Sequence, residues 1–258
     1  MTVPALRVER GAGVLTLTLD RPDHLNALTD ELSDALAHEL EQAASYDDVR
    51  VVVLRGAGRA FCAGADISAV DGPMRLDERA LDRANRIVRA VTRLDKPVVA
   101  GVHGVAAGVG CSIALAADLC VAAESASFLL AFARIGLMPD GGSTASVAAS
   151  IGRARAMRMA LLAEPLTGRE AHAAGLVSHL VEDDAFETVL TEVAARLAAG
   201  APLAMAATKR AVNAVALGGL DDALERERTG QTMLLRTADA AEGMRAFAER
   251  RQPDFEGA

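Results

Sequence analysis

Short β-rich runs alternate with helical patterns over the first two thirds of the chain. Residues 14–19 (VLTLTL) alternate apolar side chains with threonine, so they predict a strand with one exposed face. Further strands are predicted at 49–54, 97–102, 119–123 and 126–130. Helices are predicted after the capping residue Thr29, and at 76–94 and 108–117. Because buried strands separated by helices favour parallel pairing, the pattern predicts an α/β core.

From about residue 143 the pattern becomes almost continuously helical. Helices are predicted at 154–163, 168–174, 184–199, 202–217, 220–237 and 239–251. The last two carry dense mixed charge with sparse apolar stripes, which favours a lid or subunit contacts over a self-contained core. We therefore expect a core over residues 1–195 and a helical C-terminal arm over 196–258.

Composition narrows the class of protein. The 258 residues are 51% hydrophobic, which is typical of a folded domain, and the net charge of −8 with one Tyr and no Trp disfavours nucleic acid as a partner.

The uncharged stretch 97–117 is long enough to span a membrane, but its glycines and alanines favour a buried strand followed by a buried helix. The three cysteines are odd in number and lack metal-ligand spacing, which predicts reduced core thiols and no metal. With no export signal at the start, a soluble cytoplasmic protein is expected.

Two glycine-rich turns each follow a predicted buried strand, at 56–66 (GAGRAFCAGAD) and 104–112 (GVAAGVGCS). Ligands of open α/β sheets bind at the carboxyl ends of strands, and small residues allow the backbone to approach them. One such turn alone is explained by tight packing, whereas two together can place two backbone donors on one oxygen. A dinucleotide fingerprint is disfavoured at the second turn, because Ile113 occupies the third glycine position.

Three motifs in the same order resemble those of the crotonase superfamily, the enoyl-CoA hydratase/isomerase family. They are FCAGADI at 61–67, PVVAGVHGVAAGVG at 97–110 and GLMPDGG at 136–142. The similarity extends from residues 15–22 to 246–251. The resemblance implies a spiral of ββα units with a helical C-terminal arm, assembly as trimers or dimers of trimers, and an acyl-CoA thioester as the ligand. It implies no cofactor besides the coenzyme A that the substrate carries.

The resemblance also assigns site residues. The backbone N–H groups of Ala65 and Val109 would hold the thioester oxygen while it gains negative charge, and such donors contribute about 2.7–4 kcal/mol each. Val109 would add the favourable end of a helix dipole. The residues expected around coenzyme A and the substrate are Arg21, Asn26, Ala27, Leu28, Ala63, Gly64, Asp66, Ile67, Gly108, Ser112 and Phe132. For Arg21 the alternative is a solvated charge in the turn before Pro22, and His103 is interpreted as a structural histidine.

The chain departs from the family pattern at two positions that matter for the reaction. Hydratases of this family use two glutamates, and the matching positions here are Ser112 and Phe132. Adding water to a double bond needs a base for the water and an acid for the α-carbon, and a hydroxyl with a phenyl ring cannot supply both. Standard hydration is therefore disfavoured.

One acid remains at a position that isomerase branches of the family use, namely Asp140. A single carboxylate suffices for a 1,3-proton shift, and apolar neighbours such as Phe132, Leu137 and Met138 would raise its pKa. The alternative is that Pro-Asp-Gly is ordinary turn chemistry. The sequence thus predicts an enoyl-CoA isomerase. Hydration by a non-standard residue set, dehalogenation, thioester hydrolysis and an inactive acyl-CoA binder remain open.

Overall fold

A computed structural model describes residues 5–67 and 78–258. The strands of this part of the chain are β1 Leu6–Gly11, β2 Val14–Leu19, β3 Val51–Gly56, β4 Val98–Val102, β5 Val105–Ala107, β6 Leu119–Ala123, β7 Ser127–Leu129, β8 Leu166–Thr167 and β9 His179–Val181. The larger sheet has the order β1-β2-β3-β4-β6-β9, and all its pairs are parallel except the β1–β2 hairpin. A small sheet, β5-β7-β8, lies beside it. The predicted parallel α/β core is confirmed.

The helices of the described residues are α1 Asp30–Gln42, α2 Glu78–Arg93, α3 Val109–Ala116, α4 Ser143–Leu162, α5 Gly168–Ala174, α6 Phe186–Ala198, α7 Pro202–Ala216, α8 Leu220–Leu234 and α9 Ala238–Glu249. The predicted helix at 76–94 corresponds to α2, and its residues 76 and 77 lie outside the described part. The predicted strand and helix within 97–117 are β4 and α3, both buried.

Several elements differ from the sequence prediction, among them the short strands β8 and β9, which the sequence pattern did not predict. β1 was not predicted because five of its six residues are exposed at the sheet edge. α4 begins at Ser143 rather than at 154, since Gly152 interrupts it with a φ of 76° and hides the continuity of the pattern. α8 ends at Leu234 rather than at 237, because the Thr237 hydroxyl accepts a hydrogen bond from Ala240 N at 3.1 Å and caps α9 instead. β5 is a three-residue strand within the glycine-rich turn.

The large sheet separates two hydrophobic layers. Alternate β3 residues face opposite sides: Val52 and Leu54 join the main core with α1 and α2, whereas Val51 and Val53 pack with Phe186 and Leu190 of α6. Both layers exclude water, as expected for a parallel strand that is covered on both faces. The strands whose ends carry the glycine-rich turns therefore belong to a sheet that is packed on both faces.

The C-terminal helices fold back onto this core. Lys209 of α7 is 8% exposed and forms an ion pair with Asp118, with 2.7 Å between Nζ and Oδ2. α8 packs against α2 and α4, and α9 packs against the short 3-10 helix Ala131–Ile135. The predicted boundary after residue 195 falls inside α6, whose apolar side packs on the sheet. In the described residues, no single helix is long and apolar enough to cross a bilayer; α6 and α7 reach that criterion only as a pair bent by 106°.

Candidate functional site

The loop after β3 presents a backbone amide that has no partner among the residues that the structure describes. Leu28 N donates to Gly64 O at 2.8 Å, and Asp66 N donates to Leu28 O at 2.9 Å. In such a parallel bridge the residue between the two partners, Ala65, directs its own N–H away from Leu28. Within residues 5–67 and 78–258, no acceptor takes the Ala65 N–H. This amide is therefore available to a ligand.

A second free amide lies at the start of α3. Val109 is the first residue of that helix, so its N–H has no intrahelical partner, and no acceptor elsewhere in the described chain takes it. The preceding residue, Gly108, has φ 53° and ψ −133°, a conformation that is open to glycine. A Cβ on Gly64 would lie 3.0 Å from the carbonyl oxygen of Ala107, closer than an ordinary contact, so glycine at this position lets the two loops approach closely.

The two loops share one cavity with Asp140. This cavity, of about 290 Å³, is mostly apolar. Of the residues predicted for the site, it is lined by Ala63, Gly64, Ala65, Ile67, Gly108, Val109, Phe132 and Asp140. An adjoining cavity of about 300 Å³ shares Ala65 and Val109 and adds Leu28 and Asp66. The structure thus brings both free amides and the predicted carboxylate together.

The Asp140 carboxyl group is buried and only partly hydrogen-bonded. Its side chain accepts a hydrogen bond on Oδ2 from Gln231 Nε2 at 2.9 Å, whereas Oδ1 is buried with no partner among the described residues. Burial raises the pKa of Asp140 to about 7; the Gln231 hydrogen bond opposes this shift and the nearby Glu227 carboxylate adds to it. A carboxyl group with that pKa gains and loses a proton near neutral pH.

Sequence reasoning missed the support that α8 gives to this carboxyl group. Gln231 and Glu227 are each 1% exposed, and Glu227 accepts hydrogen bonds from Gly142 N at 2.7 Å and Thr144 N at 2.9 Å. The sequence of α8 could have indicated this support. Glu227 and Gln231 follow Leu220 and Leu224 at helical spacing, so they lie on the same side of the helix as its apolar stripe. Polar residues on the buried stripe of a helix predict buried partners.

Ser112 and Asn26 use their polar groups inside the protein, and a role of either residue in binding the substrate stays a prediction. Both are fully buried, and neither lines either cavity. The Ser112 hydroxyl donates to the main-chain oxygen of Asp140 at 2.7 Å. The Asn26 amide bonds the backbone of Arg21, Ala57 and Ala60 at 2.7–2.9 Å. Their polar groups are therefore used to hold loops in place.

Arg21 is not a solvated charge. Its side chain is 18% exposed, and Nη2 lies 2.8 Å from Asp66 Oδ2. Its Nη1 donates to the carbonyl oxygen of Ala27 at 2.5 Å. These contacts join the loop before α1 to the loop that carries Ala65. A role of Arg21 and Ala27 in binding coenzyme A stays a prediction, because neither lines the two cavities.

His103 lies apart from Asp140. Its Nε2 is 2.8 Å from the carbonyl oxygen of Gly58, and its ring packs 5.4 Å from that of Phe186. It lines a different cavity, so its contacts fit the structural role expected from the sequence. The three cysteines are buried free thiols, and burial raises the pKa of Cys62 and of Cys111 to about 12.

Solved structures share this fold over nearly the whole chain. An enoyl-CoA hydratase from Mycobacterium avium subsp. paratuberculosis K-10 matches with a TM-score of 0.93 at 48% identity, covering 99% of this chain and 100% of that one. An enoyl-CoA hydratase/isomerase from Pseudoalteromonas atlantica T6c matches with a TM-score of 0.88 at 32% identity, covering 98% and 100%. The fold is the mixed α/β crotonase fold, as the sequence motifs predicted.

The family itself follows from sequence similarity. The family model Enoyl-CoA hydratase/isomerase matches residues 9–258. The 1,2-epoxyphenylacetyl-CoA isomerase of Escherichia coli K12 is 40% identical over 250 residues, covering 95% of each chain. A probable enoyl-CoA hydratase of Rhodobacter capsulatus is 41% identical over 261 residues, covering all of both chains. The protein belongs to the enoyl-CoA hydratase/isomerase family of enzymes, within the crotonase superfamily.

Proposed function

We propose that this enzyme is an enoyl-CoA isomerase, which moves a carbon–carbon double bond of an acyl-CoA thioester. The observation that carries the proposal is the shared cavity, which is lined by the buried Asp140 and by Ala65 and Val109, two residues whose amides have no acceptor in the described part of the chain. Deprotonation next to a thioester creates an enolate, and that intermediate needs donors for its oxygen and a base for its carbon.

In the proposed mechanism the thioester oxygen accepts hydrogen bonds from Ala65 N and Val109 N. The ionised Asp140 removes a proton from the carbon next to the carbonyl of a 3-enoyl thioester. The electron pair forms a dienolate, whose oxygen carries the negative charge at the two amides. The same carboxyl group then returns the proton to the γ-carbon, which leaves a 2-enoyl thioester and regenerates the carboxylate. No atom is gained or lost overall.

The surroundings of the site support isomerisation over hydration. Among the described residues that line the cavity, Asp140 is the one with a carboxyl group, and Phe132 occupies part of the wall. The Ser112 hydroxyl donates its hydrogen to the Asp140 main chain, and Ser112 is fully buried and does not line the cavity, so it is not placed to hold a water molecule there. The names of the relatives include both an isomerase and hydratases, so the test must separate the two reactions.

The experiment incubates the purified enzyme with 3-enoyl-CoA and, separately, with 2-enoyl-CoA in deuterated water. Products are identified by NMR and mass spectrometry. We expect migration of the double bond with deuterium at the α- and γ-carbons, and no 3-hydroxyacyl product. A 3-hydroxyacyl-CoA would show hydration instead, and the absence of both exchange and products would favour a non-catalytic binder.

A further inference from the structure

Gln231 makes three hydrogen bonds that determine how its amide is oriented. Its Oε1 accepts from Met138 N at 3.0 Å, and its Nε2 donates to Met138 O at 2.9 Å and to Asp140 Oδ2 at 2.9 Å. A main-chain N–H can only donate and a main-chain carbonyl can only accept. Reversing the amide would oppose donor to donor and acceptor to acceptor at Met138. One Nε2 hydrogen is therefore always directed at Asp140.

The loop that carries Asp140 is fixed on both sides of the carboxyl group. Before it, Met138 is bound to Gln231; after it, Gly142 and Thr144 are bound to Glu227, one turn earlier on α8. The main-chain oxygen of Asp140 also accepts a hydrogen bond from Ser143 Oγ at 2.8 Å. With the loop so restrained, Oδ2 stays at its donor, and Oδ1 is the oxygen that lacks a protein partner in the described chain.

We propose that Gln231 is a positioning residue that gives the two carboxyl oxygens of Asp140 different tasks. Oδ2 is held as a hydrogen-bond acceptor, and Oδ1 alone takes up and returns the proton. The inference rests on the proposed function, since it concerns the same carboxyl group. It also makes the C-terminal arm a part of the catalytic site, because Gln231 lies on α8.

Burial and two side chains, Gln231 and Glu227, set the ionisation of Asp140. Burial and the carboxylate of Glu227 disfavour its charged form, whereas the hydrogen bond from Gln231 favours it. Arg134, on the 3-10 helix at the cavity wall, donates to the carbonyl oxygen of Ala163 at 2.7 Å. Removing the Gln231 donor therefore leaves the ionised form with less stabilisation and raises the pKa of Asp140 further.

The test compares Gln231→Met with the wild type in the pH profile of kcat/KM for 3-enoyl-CoA. Activity needs the ionised base, so the wild-type profile rises through about pH 7. In the variant we expect the rise to move upward by roughly 1–2 pH units, the shift expected on losing a hydrogen bond to a charged group. Activity near pH 7 should fall by roughly 5–50-fold, as the smaller ionised fraction requires, and recover largely at higher pH, with the affinity for a saturated acyl-CoA changed by less than about threefold.

The matched control is Gln42→Met, the same chemical change at an exposed position of α1. It should leave the profile unchanged. A purely structural role of Gln231 would lower activity at every pH and leave the midpoint of the profile in place, and that outcome would overturn the inference. A wild-type enzyme that neither isomerises nor exchanges α-protons would instead refute the proposed function.

A second variant and a second readout cover the case in which Gln231→Met folds poorly or is inactive. Gln231→Glu keeps the shape of the side chain and places a second carboxyl group beside Asp140, so an even larger upward shift is expected. The pKa of Asp140 also follows without any activity, from the pH dependence of unfolding with and without Asp140→Asn. If that pKa is the same in the wild type and both Gln231 variants, the inference is wrong.

Discussion

The two sides of the cavity are built in different ways. On one side, Ala65 and Val109 offer main-chain amides, which local β-bridges and a helix start hold in place. On the other side, Asp140 offers a side chain whose position depends on Gln231, 91 positions later in the chain. The amide side uses groups that every residue except proline carries, so it tolerates most changes of side chain. The carboxyl side depends on particular side chains from a distant helix.

This difference explains which reactions a relative of this chain could acquire. The amide side can serve any reaction that passes through a thioester enolate, since it recognises only the charge on one oxygen. In the proposed mechanism, the carboxyl side decides what happens at the carbon atoms, because it would supply the acid and the base. Here that side has Asp140, with Ser112 and Phe132 where hydratases of the family have glutamates. Substitutions on the amide side and on the carboxyl side should therefore differ in their effects on activity and on stability.

The largest effect is expected from removing an amide with its helix left intact. Val109→Pro deletes the N–H at the first position of α3, where proline is well tolerated. We expect kcat/KM for isomerisation to fall by at least roughly 10²–10³-fold, the loss typical of one oxyanion donor. Steady-state kinetics measure the change. Val109→Ala retains the N–H and should stay within a few-fold of wild type; equal losses in both variants would show that the side chain matters and not the amide.

A smaller effect, on stability, is expected on the carboxyl side. The raised pKa of Asp140 means that the native state holds a proton that the unfolded state releases, so stability falls as pH rises from about 4 to about 7. Asp140→Asn removes this penalty, at about 1.4 kcal/mol per pKa unit. In urea unfolding, the variant should be more stable than wild type by on the order of 3–4 kcal/mol above pH 7, and by less at pH 5.

The control for that measurement is the same change at Asp118. Its carboxylate pairs with the buried Lys209, so Asp118→Asn leaves an ammonium group without its counter-charge and should destabilise the protein. If Asp140→Asn raises the free energy of unfolding and Asp118→Asn lowers it, the result would support a catalytic carboxyl group at Asp140 that destabilises the folded protein. A destabilising Asp140→Asn at pH 8 would contradict the raised pKa.

The smallest effect is expected at Ser112. Ser112→Ala removes one of the two hydroxyl groups that donate to the Asp140 main-chain oxygen, and Ser143 retains the other. We expect a loss of about 1 kcal/mol in the free energy of unfolding and a change in kcat/KM of less than about tenfold. Loss of most activity without a change in stability would instead indicate that Ser112 acts directly on substrate or water.

The amide side could be predicted from the sequence because its determinants are local. The motif FCAGADI and the glycines around Val109 lie in two continuous stretches, and short-range geometry fixes what they do. Asp140 could also be predicted from the sequence, because it lies in the separate motif GLMPDGG. The α/β core followed from the apolar runs, whereas the kink at Gly152 concealed the first half of α4.

The carboxyl side could not be completed from the sequence, for a physical reason. The amide of Gln231 finds Met138 and Asp140 only after the C-terminal arm has packed on the core. The apolar stripe of α8 indicates that Gln231 has buried partners, but it does not identify them until that packing is known. Ser112 shows the same limit, because its residue type and position suggested a ligand contact while its hydroxyl is used inside the protein.

The central claim is that Asp140 alone moves the proton while the amides hold the oxygen. The most direct measurement is the rate of α-proton exchange from an acyl-CoA in deuterated water, by NMR, for wild type and Asp140→Asn. We predict that the variant loses roughly 10²–10⁴-fold in exchange rate while its affinity for the thioester stays within a few-fold of wild type. Exchange within tenfold of the wild-type rate would mean that another group is the base, and the account would be wrong.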